Sequence, residues 1–315
     1  MEYLQPRFPS IPSKAPHYES IYLTAAHPSN GTTYWIRHTI RKEPGKEPVG
    51  SLWFTKFTPD GPRAGKVNAP PGSSKERPIA VGDHGWVSRD GATGSLSVPG
   101  LEASWELSFS GAEEPMSHLP KPWLYSAPVP RTKSTSPRPD TTVNGRIVVD
   151  GEESVLQNWR GMLGHNWGSE HAHRWVWLRG AGFAEDPDAW LDVVIGRIKV
   201  GPVTSPWIAN GMLSLGGIRR RVGGLGKKAV VSTRPDGVDV RSTGIQLRVQ
   251  APIARSAGWE YADPSGELHQ VRNCSNAGMA LEVDGRTLTT TYGAVYELGT
   301  PETDPAVVMQ PFPDR

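Results

Sequence analysis

Glycine and proline recur along almost the whole chain, and this spacing constrains the fold more than any other feature. The 315 residues include 35 glycines and 30 prolines. Proline lacks a backbone N–H and clashes with the preceding helical turn, and glycine inside a helix costs roughly 1 kcal/mol relative to alanine. Short strands joined by turns tolerate both residues. We therefore predict an all-β fold with few short helices.

Alternating apolar and polar residues support this prediction. Over residues 101–109 every odd position is apolar, and every even position is Glu or Ser. A period of two is typical of an antiparallel strand with one face in solvent. Residues 190–200 form a second β-prone run that is mostly apolar on both faces, which is typical of a strand covered on each side. No segment shows a comparable helical period.

Length and proline distribution predict two β domains. A chain of 315 residues exceeds the usual size of one domain. Seven prolines lie between residues 115 and 139, which makes this segment the best linker candidate. We expect an N-terminal β domain over residues 1–139, with a Pro-rich arm and linker, and a C-terminal β domain over residues 140–315. Each half has enough candidate strands for a closed or nearly closed antiparallel barrel.

Charge and apolar content exclude some classes of partner. The formal net charge is only +2, so no global charge favours nucleic acid. No stretch is long and apolar enough to span a bilayer, and the first 20 residues hold four prolines and no apolar run resembling a secretory signal. Cys274 is the only cysteine, which excludes an intrachain disulfide. We expect a cytoplasmic protein without a nucleic-acid partner or membrane-spanning segment.

Residues 161–183, GMLGHNWGSEHAHRWVWLRGAGF, contain three Trp and three His. Buried indole and imidazole groups are costly unless their ring nitrogens find partners, so this cluster favours the wall of a ligand site. If residues 174–179 form a strand, Trp175, Trp177 and Arg179 share one face. Two indoles in register suit a conjugated apolar ligand, and each can stabilise a developing cation by roughly 0.5–2 kcal/mol.

His165 and Glu170 are the predicted acid/base residues, because proton transfer needs a donor within reach of a substrate that is shielded from water. Asn166 is expected to orient His165 or to bind a substrate oxygen. The structural alternative is that the His-Asn-Trp segment ties a strand to a turn through side-chain-to-backbone hydrogen bonds. The predicted substrate-binding residues are Trp167, Trp175, Trp177, Arg179, His171, His173, Trp35, Trp53, His84 and Trp86.

The histidines of this segment also raise a metal-site alternative. His171 and His173, at His-x-His spacing on a strand, would present both rings to one side, as zinc and iron sites often require. The sequence identifies no distant residue as the remaining ligand, so a polar turn between strands is the favoured interpretation of residues 169–174. We therefore predict no metal and no cofactor.

The sequence GHNWG at residues 164–168, followed by WVW at residues 175–177, resembles the second-domain motif of a lipocalin-like family. That family includes carotenoid 1,2-hydratases, tocopherol cyclases and related bacterial and fungal proteins, some of them pericyclases. The resemblance implies two lipocalin-like β-barrels or half-barrels packed together, with a polyene- or polyketide-derived ligand at or between them. In the hydratases an acidic residue precedes the motif histidine. This chain has Gly164 there, so a candidate proton donor is absent from that place.

We therefore expect a cofactor-independent lyase or isomerase. It would bind a hydrophobic, unsaturated terpenoid- or polyketide-like small molecule and catalyse hydration, cyclisation or isomerisation by acid/base chemistry. The alternative is a non-catalytic lipocalin-like carrier or sensor of an apolar ligand. The two hypotheses differ over His165, which the enzyme requires and the carrier does not.

Overall fold

The computed structural model describes residues 3–111 and 113–314. In these residues, regular structure is β apart from three 3₁₀ turns, at Phe8–Ser10, Pro122–Tyr125 and Ile253–Arg255. The predicted all-β fold with few short helices is confirmed. No helix in this part of the chain has the length and apolar character needed to cross a membrane.

The first sheet contains twelve strands within the described residues. They are β1 (His17–Ala26), β2 (Thr33–Lys42), β3 (Val49–Thr58), β4 (Gly61–Ala69), β5 (Pro71–Gly72), β6 (Ile79–Val81), β7 (Gly85–Val87), β8 (Gly91–Val98), β9 (Leu101–Ser110), β10 (Met116–Ser117), β11 (Thr132–Val149) and β12 (Glu152–Gly168). The hydrogen-bonded order is β4-β3-β2-β1-β12-β11-β9-β8-β7-β6-β5, and β10 pairs with β11.

The second half of the chain forms a ten-stranded sheet in the described residues, together with a small ribbon of β15 and β16. Its strands are β13 (Arg174–Ala181), β14 (Trp190–Arg197), β15 (Lys199–Val200), β16 (Val203–Thr204), β17 (Ile208–Leu215), β18 (Ile218–Lys228), β19 (Val230–Arg234), β20 (Gly237–Ser242), β21 (Ile245–Gln250), β22 (Ala257–Ala262), β23 (Leu268–Val283) and β24 (Arg286–Thr300). The order is β18-β17-β14-β13-β24-β23-β21-β20-β19, and β22 pairs with β23.

Both sheets follow the same connection pattern. In each, the first strand pairs with the last, β1 with β12 and β13 with β24. The two end strands of each order are separated by a single residue, Pro70 between β4 and β5 and Ala229 between β18 and β19. The chain therefore steps from one sheet edge to the other, which bends each sheet into a nearly closed barrel and leaves little unpaired backbone at the edges.

The change from the first sheet to the second falls between Gly168 and Arg174, whereas the domain boundary is predicted near Asp140; the domain bounds stay a prediction. Residue 140 lies inside β11, so the proline-rich segment is not simply a linker. Its last prolines fit because the β11–β12 register shifts around residues 135–141, where ladder hydrogen bonds are interrupted. The 164–168 motif ends β12 and so belongs to the first sheet, not to the C-terminal half.

Each barrel has its own apolar core, and aromatic residues fill the joint between them. β9 alternates strictly between buried and exposed positions, as its sequence predicts. In β13, Val176 and Leu178 belong to the core of the second barrel. Trp175 instead belongs to a buried cluster with Trp35, Trp53 and aromatic residues of β22, between the two sheets. The outer face of β13 is therefore the one that meets the first sheet.

Candidate functional site

Two adjoining cavities lie where β1 and β2 face β13 and β24. The inner cavity has a volume of about 70 Å³ and the outer cavity about 280 Å³. They share Thr132, His171 and Ala172 as lining residues. The inner cavity is lined by aromatic rings, namely Tyr18, Tyr22, Trp35, Trp175, Trp177 and Tyr261. It holds a few water-sized groups as it stands, so a larger ligand must extend into the outer cavity.

Trp175 and Trp177 share the face of β13 that was predicted, and both line the inner cavity. The indole N–H of Trp175 donates to Glu297 and that of Trp177 to Asp192, each at 2.9 Å. Gly299 makes room for the first ring, because a Cβ atom there would lie 2.1 Å from the Trp175 indole. Both rings are therefore locked in orientation. Their role in substrate binding stays a prediction.

His171 is held between two aromatic rings beside both cavities. Its imidazole stacks on Tyr18, with ring centroids 4.1 Å apart, and on Trp175 at 5.4 Å. The backbone N–H and Nδ1 of His171 contact Oδ1 of Asp263 at 2.8 Å and 2.6 Å, and His269 Nε2 lies 3.2 Å from Oδ2. Nε2 of His171 is buried and finds no hydrogen-bond partner in the described part of the chain. One ring nitrogen is thus free to meet a ligand.

The charge of Asp263 decides which nitrogen of His171 carries hydrogen. Burial by itself raises the pKa of the Asp263 carboxyl, but hydrogen bonds from His171 and His269 outweigh it and hold that pKa below its usual range. An ionised carboxylate only accepts hydrogen bonds, so Nδ1 of His171 donates, and Nε2 of the neutral ring is the nitrogen with a free lone pair. This is the arrangement of a general acid/base oriented by a carboxylate.

Two opposite charges face the inner cavity without pairing with each other. Arg37 is 5% exposed, and its Nε donates to Ser20 Oγ at 2.7 Å. Its guanidinium carbon lies 3.9 Å from the Tyr261 ring centroid, and Nη1 is buried without a partner among the described residues. Glu297 accepts hydrogen bonds from Trp175 and Tyr261. A buried unpaired donor is costly, so Arg37 marks a place for a carbonyl or anionic ligand oxygen.

His165, the predicted acid/base residue, lines neither cavity. It is fully buried, its Nδ1 contacts the carbonyl oxygen of Tyr3 at 2.8 Å, and its Nε2 contacts Glu19 Oε1 at 2.7 Å. Glu19 also accepts hydrogen bonds from the backbone N–H groups of Arg7 and Phe8. The cluster therefore fastens the N-terminal arm onto β1 and β12. The geometry fits the structural alternative for this histidine and argues against an acid/base role, because both ring nitrogens are occupied.

Gly164 precedes His165 for a steric reason. A Cβ atom at position 164 would lie 2.3 Å from Cζ of Tyr22 and 2.6 Å from its hydroxyl oxygen. The Tyr22 ring thus fills the space that an acidic side chain at this position would need. Tyr22 lines the inner cavity, and burial raises the pKa of its phenol well above the ordinary value.

Asn166, Glu170 and His173 all lie at the cavities. Asn166 lines the inner cavity, and its Oδ1 is buried without a partner in residues 3–111 and 113–314. Glu170 lines the outer cavity and pairs with Arg131 at 2.6 Å. His173 also lines the outer cavity, where burial and the charge of Lys199 lower its pKa. Residues 169–173 connect β12 to β13, as the polar-turn interpretation predicts, and the catalytic roles of Asn166 and Glu170 stay predictions.

Five of the predicted substrate-binding residues line neither cavity: Trp53, Trp167, Arg179, His84 and Trp86. Trp53 does not reach the inner cavity and packs on Tyr261, which lines it. Trp167 packs on His165, with ring centroids 4.7 Å apart. Arg179 pairs with Asp140 at 2.9 Å and so ties β13 to β11. His84 and Trp86 line a separate groove on the first sheet. Strand pairing, which the local pattern does not specify, separates these residues from the site.

Sequence reasoning missed Asp263 and His269, because no local pattern links them to a histidine 92 residues earlier in the chain. The sequence did contain a signal for two other site residues, Arg37 and Asp192. Arg37 shares a predicted strand face with Trp35, and Asp192 is a lone carboxylate in an apolar run. Among the described residues no group of three or more His, Cys, Asp and Glu side chains is arranged to hold a metal ion.

Comparisons with known proteins identify relatives of the whole chain. No family model matches it. An uncharacterized protein from two strains of Mycobacterium tuberculosis is 24% identical over 285 residues, which cover 84% of this chain and 80% of the relative. Among solved structures, an AttH-type protein from Nitrosomonas europaea has a TM-score of 0.56 at 12% identity, covering 90% of this chain and 92% of its own.

Kievitone hydratase from Nectria haematococca is a second structural neighbour, with a TM-score of 0.55 at 10% identity, covering 92% of this chain and 90% of its own. At such low identity these likenesses concern the fold alone. They show that this chain shares the fold of these two proteins, and its two nearly closed antiparallel barrels confirm the predicted fold class.

Proposed function

We propose that the protein is a cofactor-independent lyase that adds water to a carbon–carbon double bond conjugated with a carbonyl group in an apolar small molecule. The observation that carries this proposal is the free Nε2 of His171, in a ring clamped by Asp263 and stacked between Tyr18 and Trp175. The similarity in fold to kievitone hydratase supports the same class of reaction.

Arg37 is the reason to place a carbonyl beside the double bond. Protonating an isolated alkene requires a strong acid, and an imidazole is a weak one. A carbonyl oxygen at Nη1 of Arg37 would satisfy that buried donor and draw negative charge onto the oxygen during reaction. A preorganised donor stabilises the negative charge that develops on this oxygen most effectively when the site is shielded from water.

The proposed reaction moves one proton in two steps through one nitrogen. Nε2 of His171 takes a proton from water as the water oxygen attacks the distal carbon of the double bond. Arg37 stabilises the resulting enolate oxygen. The imidazolium then returns a proton to the carbon next to the carbonyl, so the elements of water are added and the enzyme is restored.

The aromatic walls hold the substrate in the plane that this reaction needs. Trp175 and Trp177 have fixed orientations because their N–H groups donate to buried carboxylates. Planar rings on the cavity wall favour a flat conjugated ligand and exclude water around it. Since the inner cavity is only about 70 Å³, it suits the reacting head group, and the outer cavity suits the remainder.

The test is turnover of the wild type and of His171→Gln with a panel of apolar α,β-unsaturated ketones in water labelled with a heavy oxygen isotope. Mass spectrometry measures incorporation of the label. We expect labelled product from the wild type and a rate about 10²–10⁴-fold lower in His171→Gln, as for loss of a general acid/base.

His84→Gln is the matched control, because that histidine lines a groove separate from both cavities. It should keep wild-type turnover, and near-UV circular dichroism should show all three proteins folded. Equal turnover in His171→Gln and wild type would remove His171 from the mechanism. Recovery of every bound ketone unchanged would instead favour a carrier.

A further inference from the structure

Ser134, His118 and Asp192 form a second hydrogen-bonded chain that reaches the inner cavity. Ser134 Oγ lies 3.1 Å from His118 Nδ1, and His118 Nε2 lies 3.1 Å from Asp192 Oδ1. His118 and Asp192 are buried, whereas Ser134 is half-buried and lines the inner cavity. None of the three acts in the proposed hydration. The order of hydroxyl, imidazole and carboxylate is that of a nucleophile, its base and an orienting acid.

The fold fixes each member of this chain from a different element. His118 directly follows β10, and its backbone N–H donates to the carbonyl oxygen of Ser134 at 3.3 Å. The Tyr125 hydroxyl donates to the same oxygen at 2.7 Å. Asp192 comes from β14 of the second sheet. The chain is therefore completed only where the two sheets meet.

The charge of Asp192 sets the direction of these hydrogen bonds. Burial opposes ionisation of Asp192, but the charge and hydrogen bond of His118, together with hydrogen bonds from Ser136 and Trp177, lower the pKa of its carboxyl. The carboxylate accepts, so His118 Nε2 carries hydrogen. Whenever the His118 ring is neutral, its Nδ1 is therefore an acceptor directed at the Ser134 hydroxyl.

We infer that Ser134 is a nucleophile that accepts the acyl group of a small apolar ester. Ser134 Oγ bonds to the ester carbonyl carbon while its proton passes to His118 Nδ1. The carbon–oxygen bond to the alcohol then breaks, and His118 gives the proton to the leaving oxygen. Water attacks the acyl group on Ser134 by the same route, which releases a carboxylic acid and restores the serine.

Donors for the intermediate's negative oxygen line the same cavity. Nη1 of Arg37 is buried and unpartnered within the described residues, and Tyr22, whose hydroxyl can also donate, lines the same cavity. Donors placed where an oxyanion forms are usually worth a factor of about 10²–10³ in rate. The small volume of the inner cavity restricts the acyl group to a short one.

A small alkyl fluorophosphonate tests this inference without knowledge of the natural ester. Ser134 Oγ would displace fluoride from phosphorus, and the adduct is measured by intact mass and located by peptide mapping. We expect stoichiometric labelling of the full-length wild type on Ser134 and none in Ser134→Ala. His118→Gln should label about 10²–10⁴-fold more slowly, because the base is lost.

Ser136→Ala is the matched control, since Ser136 also donates to Asp192 but is fully buried and lines neither cavity. It should still label on Ser134. In Ser134→Cys, iodoacetamide should alkylate the new thiol faster than it alkylates free cysteine, because His118 withdraws its proton. A folded wild type that takes no label, or label that persists in Ser134→Ala, would overturn the inference. His84→Gln, in a groove apart from both cavities, should label normally. Labelling of Ser134 needs no step at His171, so failure of the proposed hydration leaves this result independent.

Discussion

Two histidines that lie only six residues apart in sequence each pair with a carboxylate, one fully buried and the other at the edge of the cavities. His165 contacts Glu19 at 2.7 Å, and His171 contacts Asp263 at 2.6 Å. His165 uses its second nitrogen on the backbone of the N-terminal arm, whereas the second nitrogen of His171 has no partner in the described residues. The motif histidine therefore holds the fold together, and the histidine outside the motif is available for chemistry. The two histidines differ in whether the second ring nitrogen has a hydrogen-bond partner within the described residues.

The two pairs should differ most in how much each contributes to the free energy of unfolding. His165→Ala removes the histidine partner of the fully buried Glu19 carboxylate, so we expect a loss of about 3–5 kcal/mol in the free energy of unfolding, measured by urea denaturation. His171→Gln should change it by less than about 1 kcal/mol, because the Gln amide can still donate to Asp263, which also keeps His269 as a partner. Equal losses in both variants would contradict the distinction.

The pH dependence of stability sharpens the same comparison. Burial alone raises the pKa of Glu19, but hydrogen bonds from His165 and His17 outweigh it and lower the pKa to about 2. The unfolded value is about 4.3, so this stabilisation is complete above that pH and is lost as the pH falls towards 2. The loss should be roughly 3 kcal/mol. Urea midpoints of wild type and Glu19→Gln should converge over this range, and a constant difference would argue against the assignment.

His38 is another buried histidine, and it pairs with neither a carboxylate nor a backbone group among the described residues. Both of its ring nitrogens are buried and unpartnered in the described residues, and burial lowers its pKa to about 3. Unfolded histidine binds a proton below about pH 6.5, so wild-type stability should fall by roughly 1 kcal/mol per pH unit from there towards pH 3. We expect His38→Leu to be more stable by about 1–2 kcal/mol at neutral pH.

Thermal and urea unfolding of His38→Leu at pH 7 and pH 5 would check this expectation. The stability advantage of His38→Leu over the wild type should be larger at pH 5, because only the wild type must keep a buried imidazole neutral below the pKa of unfolded histidine. His27→Leu, which changes a partly exposed ring, is the control and should show no such pH-dependent gain. A destabilised His38→Leu would indicate that the ring is satisfied in solution.

Local patterns predicted the strands well and the site only in part. The alternation over residues 101–109 became the alternating burial of β9, and Trp175 and Trp177 share their predicted face. The proline-rich segment was interpreted as a linker, yet it carries His118 and runs into β11, which carries Ser134. Proline disfavours regular strands on average, and only the partner strand decides whether a bulge accommodates it.

The sequence by itself determined that the chain is β throughout, which strand faces are apolar, and that indole and imidazole rings concentrate in residues 161–183. Those properties follow from backbone geometry and side-chain alternation within a few residues. Only the tertiary structure decided that His165 pairs with Glu19, whereas His171 pairs with Asp263 and keeps one ring nitrogen without a partner in the described residues. Both partners are distant in the chain, and the order of strands in a sheet, which no local period encodes, brings them into contact.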